Sequence, residues 1–327
     1  MKRRLFSAAG FALAATLALP ALAQNVKLTL GHGAAPGNPR HEAAVKFAEI
    51  VKARTHGRIE IQVAHSAQLG DDAAMVTALR SGTLDLSANS QGALSTVIPE
   101  YAALGLPFLF SDMQKAWALL DGPVGEELAK RTAAKGMVVL GYWDNGIRHI
   151  TNNKRPIKVP ADVKGLKLRT PPDAMTVDIV QALGGDAQQI KFAELYVALQ
   201  QGVVDGQENP LANIASAKLY EVQKYLSLTG HKYESNPFLM GKRSWDKLSP
   251  ADQQVFKEAA AEATRLQRKL SKDADEKLVA ELKGKGVQVD TVDRKAFVDA
   301  TRPVYDKWAA SPSGDFFKRV IQQAQAQ

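Results

Sequence analysis

The sequence predicts a two-domain α/β protein crossed by one long helix. Three observations predict it. Strand, helix, strand, helix, strand alternate in two separate stretches, as a sheet with parallel members reads. A nine-residue segment recurs: TALRSGTLD at 77–85 and VALQQGVVD at 197–205 each place Ala-Leu at a helix end, Gly at its stop and Asp on the following stretch. Residues 249–283 carry apolar side chains at three- and four-residue steps, over a length that exceeds one small domain.

The elements follow in order. Residues 1–23 read as a secretory signal: Lys2, Arg3 and Arg4, an apolar run over 5–19, the breaker Pro20, and Ala21-Leu22-Ala23 fitting the small-residue cleavage rule. The apolar run is shorter than the roughly 20 residues that span a bilayer. Cleavage after Ala23 and export to the periplasm are therefore expected. Residues 26–31 alternate as a strand. Asn38 caps and Pro39 opens a helix over 40–55, with Ala44, Phe47, Ala48 and Val51 on one face. Gly57 stops it, and 59–64 is the next strand. Asp71 and Asp72 open a helix to Arg80, Gly82 stops it, and TLDLSA forms a third strand.

The second unit has a strand at 165–169, a helix over 172–183 opened by Pro172, and a Gly184-Gly185 turn. A helix from Phe192 to Gln201 then stops at Gly202 before the strand VVDGQ. Ser249 caps the long helix, Pro250 opens it and Gly284 ends it. At 1.5 Å per residue it extends about 50 Å. Its charges, such as Asp273 with Lys277, read as solvated i,i+4 pairs. A short strand near 287–290 and two helices finish the chain. No linker is visible, so several chain crossings join the domains, as a hinge requires. Domain I is drawn over 24–145 plus 234–273, and domain II over 146–233 plus 274–327.

The 327 residues hold 42 Lys and Arg against 34 Asp and Glu, a net charge of +8. Loss of Lys2, Arg3 and Arg4 leaves 39 cations against 34 acids over 304 residues, or +5. That length suits two domains of about 150 residues. The cations lie in mixed-sign stretches with no basic block interleaved with aromatics, which argues against nucleic-acid binding. Cysteine is absent. A core of this size folds without disulfides, and no cysteine can take a lipid.

Three polar residues stand out. Arg169, in LKLRTPPDA, ends an apolar strand, and ligands of open α/β sheets bind outside the carboxyl ends of strands. Its guanidinium can grip a carboxylate through two parallel hydrogen bonds. A helix N-terminus at Pro172 would favour the same charge. Arg148 lies in the extended stretch DNGIRHITNNKRPI, where on its own it reads as a surface residue. Asn209, in VVDGQENP, stands where a strand meets a helix opened by Pro210. It reads either as an ordinary N-cap or as an amide donor to a carboxylate.

Other chemistries fail on spacing. The run from Gly31 to Gly37 lacks the G-x-G-x-x-G pattern of a dinucleotide site. The six histidines show no H-E-x-x-H or H-x-x-x-H spacing, and no G-x-S-x-G elbow occurs, so neither a metal nor a cofactor is expected. Asp205 and Glu208 could be imagined as an acid/base pair, but capping and pairing with a nearby arginine is the stronger reading.

In this order, SAQLGDDAAM, NGIRHITNN, GLKLRTPPD, F-x-E-L-Y-x-A-L-Q-x-G-x-V-D-G-Q-E-N-P and KLYEVQKYLSLTGH resemble the solute-binding proteins of tripartite ATP-independent periplasmic (TRAP) transporters. The resemblance runs through nearly the whole mature chain. It implies a hinged periplasmic-binding-protein fold with the ligand between the domains. It implies a monomer that delivers an organic acid to TRAP membrane subunits, which use an ion gradient and not ATP. It also implies roles. Arg169 forms the main salt bridge to the ligand carboxylate, Arg148 supports it, Asn209 completes the cradle and Phe192 packs against the ligand.

Members that bind sialic acid carry a glutamate and an arginine just after the third strand. Ser90 and Ala93 stand there in this chain, which argues against that ligand. Asp72, His32, Asn89 and Gln91, near strand ends, are expected to face the cleft and to suit hydroxyl groups. The favoured ligand is a hydroxylated sugar acid, a uronate or an aldonate. A C4-dicarboxylate is the alternative. An exported enzyme acting on an organic acid is the rival class, and it lacks an assembled base or nucleophile in the sequence.

Overall fold

The computed structural model describes residues 25–326; the expected signal, residues 1–23, and its cleavage site after Ala23 lie outside them. The first lobe begins β1 (Val26–His32), α1 (Pro39–Arg54), β2 (Ile59–Ala64), α2 (Asp72–Ser81), β3 (Leu86–Ala88) and α3 (Gln91–Ser95). A 3-10 turn (Pro99–Gly105), α4 (Met113–Leu120) and α5 (Pro123–Ala134) follow, and the long β4 (Met137–Asn152) leads out. The second lobe holds β5 (Lys167–Thr170), α6 (Ala174–Ala182), β6 (Asp186–Gln189), α7 (Phe192–Gln200), β7 (Gly206–Pro210) and α8 (Leu211–Ser216). The long β8 (Tyr225–Gly241) returns to α9 (Lys242–Trp245) and to α10 (Pro250–Gly284). Then come β9 (Gln288–Thr291), α11 (Arg294–Ala309) and α12 (Gly314–Gln325). Among the described residues no helix is long and apolar enough to cross a membrane.

One sheet runs through both lobes in the order β2-β1-β3-β8-β4-β7-β5-β6, with β9 on β8. β1 pairs in parallel with β2 and β3, and β5 pairs in parallel with β6 and β7. Between these sets, β8 and β4 run antiparallel to each other and to their outer neighbours. Each lobe therefore carries the same strand pattern, and the nine-residue echo is its imprint. In the first copy Thr83 N–H donates to the Ala78 carbonyl at 2.9 Å, and in the second Val203 N–H donates to Ala198 at 2.9 Å. Asp85 accepts from Thr29 N–H on β1 at 2.9 Å. Asp205 accepts from Lys167 N–H on β5, also at 2.9 Å.

The long strands are not expected from sequence. Their pairing shifts register at Val139/Gly141, Asp144/Gly146 and Arg148/Ile150, which scrambles the period-2 pattern a strand normally shows. Trp143 stacks on Phe238 at 4.4 Å where they cross the first lobe's core, and Phe47 of α1 meets Phe238 edge-on at 4.8 Å. Helix α10 packs on α1 and β4 at one end and on α8 and β9 at the other, so it lies along both lobes as expected. At its middle, buried Gln267 accepts from Asp144 N–H and donates to Asp144 C=O, each at 2.7 Å. That amide pairs the backbone groups of a bulge and fixes the helix to the crossing strand.

Three local expectations are corrected. Helix α6 starts at Ala174 with Asp173 as its N-cap, not at Pro172. Asp273 pairs with Lys269, one turn back, not with Lys277. Helix α12, drawn with the second domain, packs on the 3-10 turn and α4 of the first lobe. Its buried Phe316, Phe317 and Val320 need an apolar surface, and that lobe supplies it.

Candidate functional site

Two adjoining cavities lie between the lobes and share Gly33, Asp72, Ser90, Arg169, Pro171 and Phe192. The first adds Asp71, Ala93 and Lys191; the second adds Arg40, Asn145, Arg148, Asn209, Asn213 and Glu234. The lobes are closed on each other. Asn38 on the first donates to Asn213 at 3.0 Å and to Ser216 at 3.2 Å on the second. Lys191 meets Asp71 across the first cavity at 3.1 Å.

Arg169 stands near the carboxyl end of β5, 2% exposed. Its Nε donates to the Ile190 carbonyl at 2.7 Å. Its guanidinium lies over the Phe192 ring, 5.8 Å from the centroid. A guanidinium has five N–H groups. Among the described residues neither terminal nitrogen has a hydrogen-bond acceptor, so four remain in a planar fork at the cavity wall. Burial pushes its pKa down to about 10, with Glu208 only partly offsetting that. It is a cation at neutral pH, held out of water without an ion-pair partner.

Arg148 is the opposite. On β4 and 2% exposed, it gives Nε to Glu208, Nη1 to Glu234, and Nη2 to the Glu208 carbonyl at 2.7 Å and to Oε1 at 2.6 Å. One N–H, on Nη1, is left. Burial would lower its pKa, but the two glutamates outweigh that and raise it. Burial would likewise raise Glu208, yet Arg148 and His231 bring it down to about 2. Glu208 therefore does pair with an arginine, as the stronger of the two readings of it expects.

Asn209 is not an N-cap, because Pro210 occupies that position of α8. It donates to Gln207 at 2.5 Å and accepts from Asn213, one helical turn on, at 3.1 Å, which leaves one amide N–H. Asp72 lines both cavities, accepts from Ser90 N–H at 2.8 Å and lies 4.0 Å from Arg40. Burial raises its pKa against the pull of Arg40. Arg169, Arg148, Asn209, Phe192 and Asp72 are thus brought together.

His32, Asn89 and Gln91 are not: none of the three lines either cavity. His32 is buried, accepts from Ala34 N–H at 3.2 Å and meets His41 at 3.3 Å; burial, then Arg40, hold its pKa near 3. The Asn89 carbonyl oxygen accepts from Ser87 at 2.8 Å. Gln91 spends its carbonyl oxygen on Ser235 N–H at 2.9 Å and on its hydroxyl at 2.8 Å. These side chains join strand ends to the core beneath the cleft. The anion-favouring helix end is also spoken for, since Asp173 puts its own carboxylate on α6 at Met175 N–H and pairs with buried Lys232.

Sequence reasoning missed Arg40, Asn145, Asn213, Glu234 and Lys191. Some signals exist. Asn145 belongs to the same NGIR motif as Arg148, and Asn213 follows Asn209 at the i+4 spacing. Glu234 and Arg40 carry none, because only folding brings them beside Asn145, which accepts from Arg40 at 3.3 Å and donates to Glu234 at 3.2 Å.

Residues 30–311 match the model of bacterial extracellular solute-binding proteins, family 7 (DctP). Protein y4mM of Sinorhizobium fredii is 56% identical over the whole of this chain, which spans 61% of that protein's length. The sugar acid binding protein DctPAm of Advenella mimigardefordensis, solved with galactonate, is 33% identical at TM-score 0.90, covering 93% of this chain and 99% of that one. A TRAP periplasmic solute-binding protein of Polaromonas, solved with D-erythronate, is 38% identical at TM-score 0.88, covering 90% and 98%. A closed interlobe cleft, one unspent arginine fork and a family match over most of the chain lead to one conclusion: this protein is a TRAP transporter periplasmic solute-binding protein of the DctP family.

Proposed function

We propose that the mature protein is a periplasmic receptor that captures a hydroxylated sugar acid by its carboxylate and hands it to a TRAP membrane permease. One observation carries the reading: Arg169 presents a four-hydrogen guanidinium fork to a closed cleft and, among the described residues, has no carboxylate within ion-pair distance. Each charge-assisted hydrogen bond contributes about 1.5–3 kcal/mol, so two from Arg169, one from Arg148 and one from Asn209 suffice to hold a small acid. Walls from both lobes surround it. The acid therefore binds the closed form better than the open one and shifts the population toward closure by that difference.

The rest of the lining favours hydroxyl groups over a second carboxylate. Asn145, Asn213 and Ser90 are neutral, Asp72 and Glu234 are acceptors that repel another anion, and the two further cations, Arg40 and Lys191, already face Asp72 and Asp71. The likeness to proteins solved with galactonate and D-erythronate supports the same class. Titration calorimetry of the mature protein with D-galactonate, D-erythronate, D-glucuronate and succinate tests it. Binding of sugar acids with succinate silent is expected. Tight succinate binding with every sugar acid silent would return the protein to the dicarboxylate class.

A further inference from the structure

We propose that Glu234 reads a hydroxyl group on the carbon next to the ligand carboxylate, which makes the site selective for open-chain 2-hydroxy acids (aldonates) over cyclic uronates. The inference rests on the sugar-acid reading above and narrows it. Glu234 is fully buried and lines the second cavity. Its Oε2 accepts from Arg148 Nη1 and Asn145. Among the described residues its Oε1 has no hydrogen-bond partner, and Lys232 Nζ lies 3.9 Å from it, beyond hydrogen-bond reach. A buried carboxylate oxygen without a donor is costly, so a donor from the ligand gains the most there. Arg40 Nε, which is also buried and unpartnered, belongs to a side chain on the same cavity.

Connectivity fixes which part of the ligand is meant. Arg148 Nη1 gives one hydrogen to Glu234 and has one left. A ligand carboxylate that takes this second hydrogen while resting on Arg169 shares a nitrogen with Glu234. Two acceptors of one nitrogen lie about 4–5 Å apart. The group between them must be a donor, or two carboxylates face each other unscreened. A 2-hydroxyl meets that need. A pyranose uronate has its ring oxygen on that carbon, and a 2-keto acid has a carbonyl. Both are acceptors only, and they leave Glu234 unsatisfied.

The test is calorimetry with D-erythronate, its 2-deoxy analogue 3,4-dihydroxybutanoate, its 3-deoxy analogue 2,4-dihydroxybutanoate, and D-glucuronate. Loss of a hydrogen bond to a buried charge predicts roughly 10- to 100-fold weaker binding of the 2-deoxy acid. The 3-deoxy acid loses less, and the uronate falls below the aldonate. In Glu234→Gln the gap between erythronate and its 2-deoxy analogue should shrink, since the removed hydroxyl and the altered carboxylate are coupled. Equal affinity of the two acids for the unaltered protein, or a gap unchanged in Glu234→Gln, overturns the proposal and leaves the sugar-acid reading standing. If none of the sugar acids binds, the reading beneath it falls as well. The ligand series uses the native protein, so it decides even where the variant folds poorly.

Discussion

Arg148 and Arg169 lie on β4 and β5 of one sheet with only β7 between them, and they are in opposite states. Both are 2% exposed. Arg148 has spent four of its five hydrogens on Glu208 and Glu234, while Arg169 has spent one, on a neutral carbonyl. β7 supplies a glutamate to the first and no carboxylate within ion-pair distance to the second. A neutralised arginine holds strands together. An arginine buried without a counter-charge weakens the empty protein, and a ligand anion offsets that cost. The contrast separates framework from site more clearly than burial or residue type does.

The largest expected effect breaks the framework arginine. Arg148→Ala leaves Glu208 and Glu234 buried without their partner, and breaking such a pair costs about 3–5 kcal/mol. Arg169→Ala removes a buried, unpaired charge, so the ligand-free protein should be no less stable in denaturant. Its affinity for a sugar acid should fall roughly 100-fold or more, as two or more charged hydrogen bonds are lost. Denaturant unfolding and calorimetry on both variants measure the two axes. If Arg169→Ala unfolds as easily as Arg148→Ala, the distinction collapses.

Acid sharpens it next. Glu208 ionises near pH 2 in the fold against an ordinary value of 4.5, because Arg148 and His231 outweigh its burial. Its contribution is complete above about pH 4.5 and is lost as pH falls through the folded value, since the unfolded chain takes up the proton first. Glu208→Gln should flatten the fall in stability between about pH 4.5 and 2, measured by urea titration at each pH. An acid limb as steep as that of the unaltered protein would mean that Glu208 does not hold the framework.

The sequence shows one of these arginines better than the other. Arg169 is visible because a strand end followed by two prolines is a local pattern. Arg148 reads as an ordinary surface residue, since its partners Glu208 and Glu234 lie 60 and 86 positions away. The two-lobe plan is legible for the same local reason, through the Gly stop and the strand-capping Asp that recur as Asp85 and Asp205. β4 and β8 are not, because bulges at Gly141 and Gly146 break their alternation. His32 and Asn89, at strand ends, and Gln91, the first residue of α3, each adjoin a cavity-lining residue, Gly33 or Ser90, so a single step along the chain separates the cleft from the core. Sequence locates the strand end and does not fix that step.

The smallest effect belongs to the charge pair outside the buried set. Lys191 and Asp71 join the lobes at 3.1 Å, with side chains 60% and 22% exposed. Water and salt reach such a pair, so it adds little to closure. Lys191→Ala should weaken ligand binding by about threefold at most, through faster release, and about 1 M salt should erase the difference, since screening there acts within about 3 Å. The loss in Arg169→Ala should persist at that salt, because its guanidinium sits where ions do not penetrate. Stopped-flow release rates at low and high salt compare the two directly. A Lys191→Ala defect as large and as salt-resistant as that of Arg169→Ala would place the decisive cation at the cleft mouth and not at the end of β5.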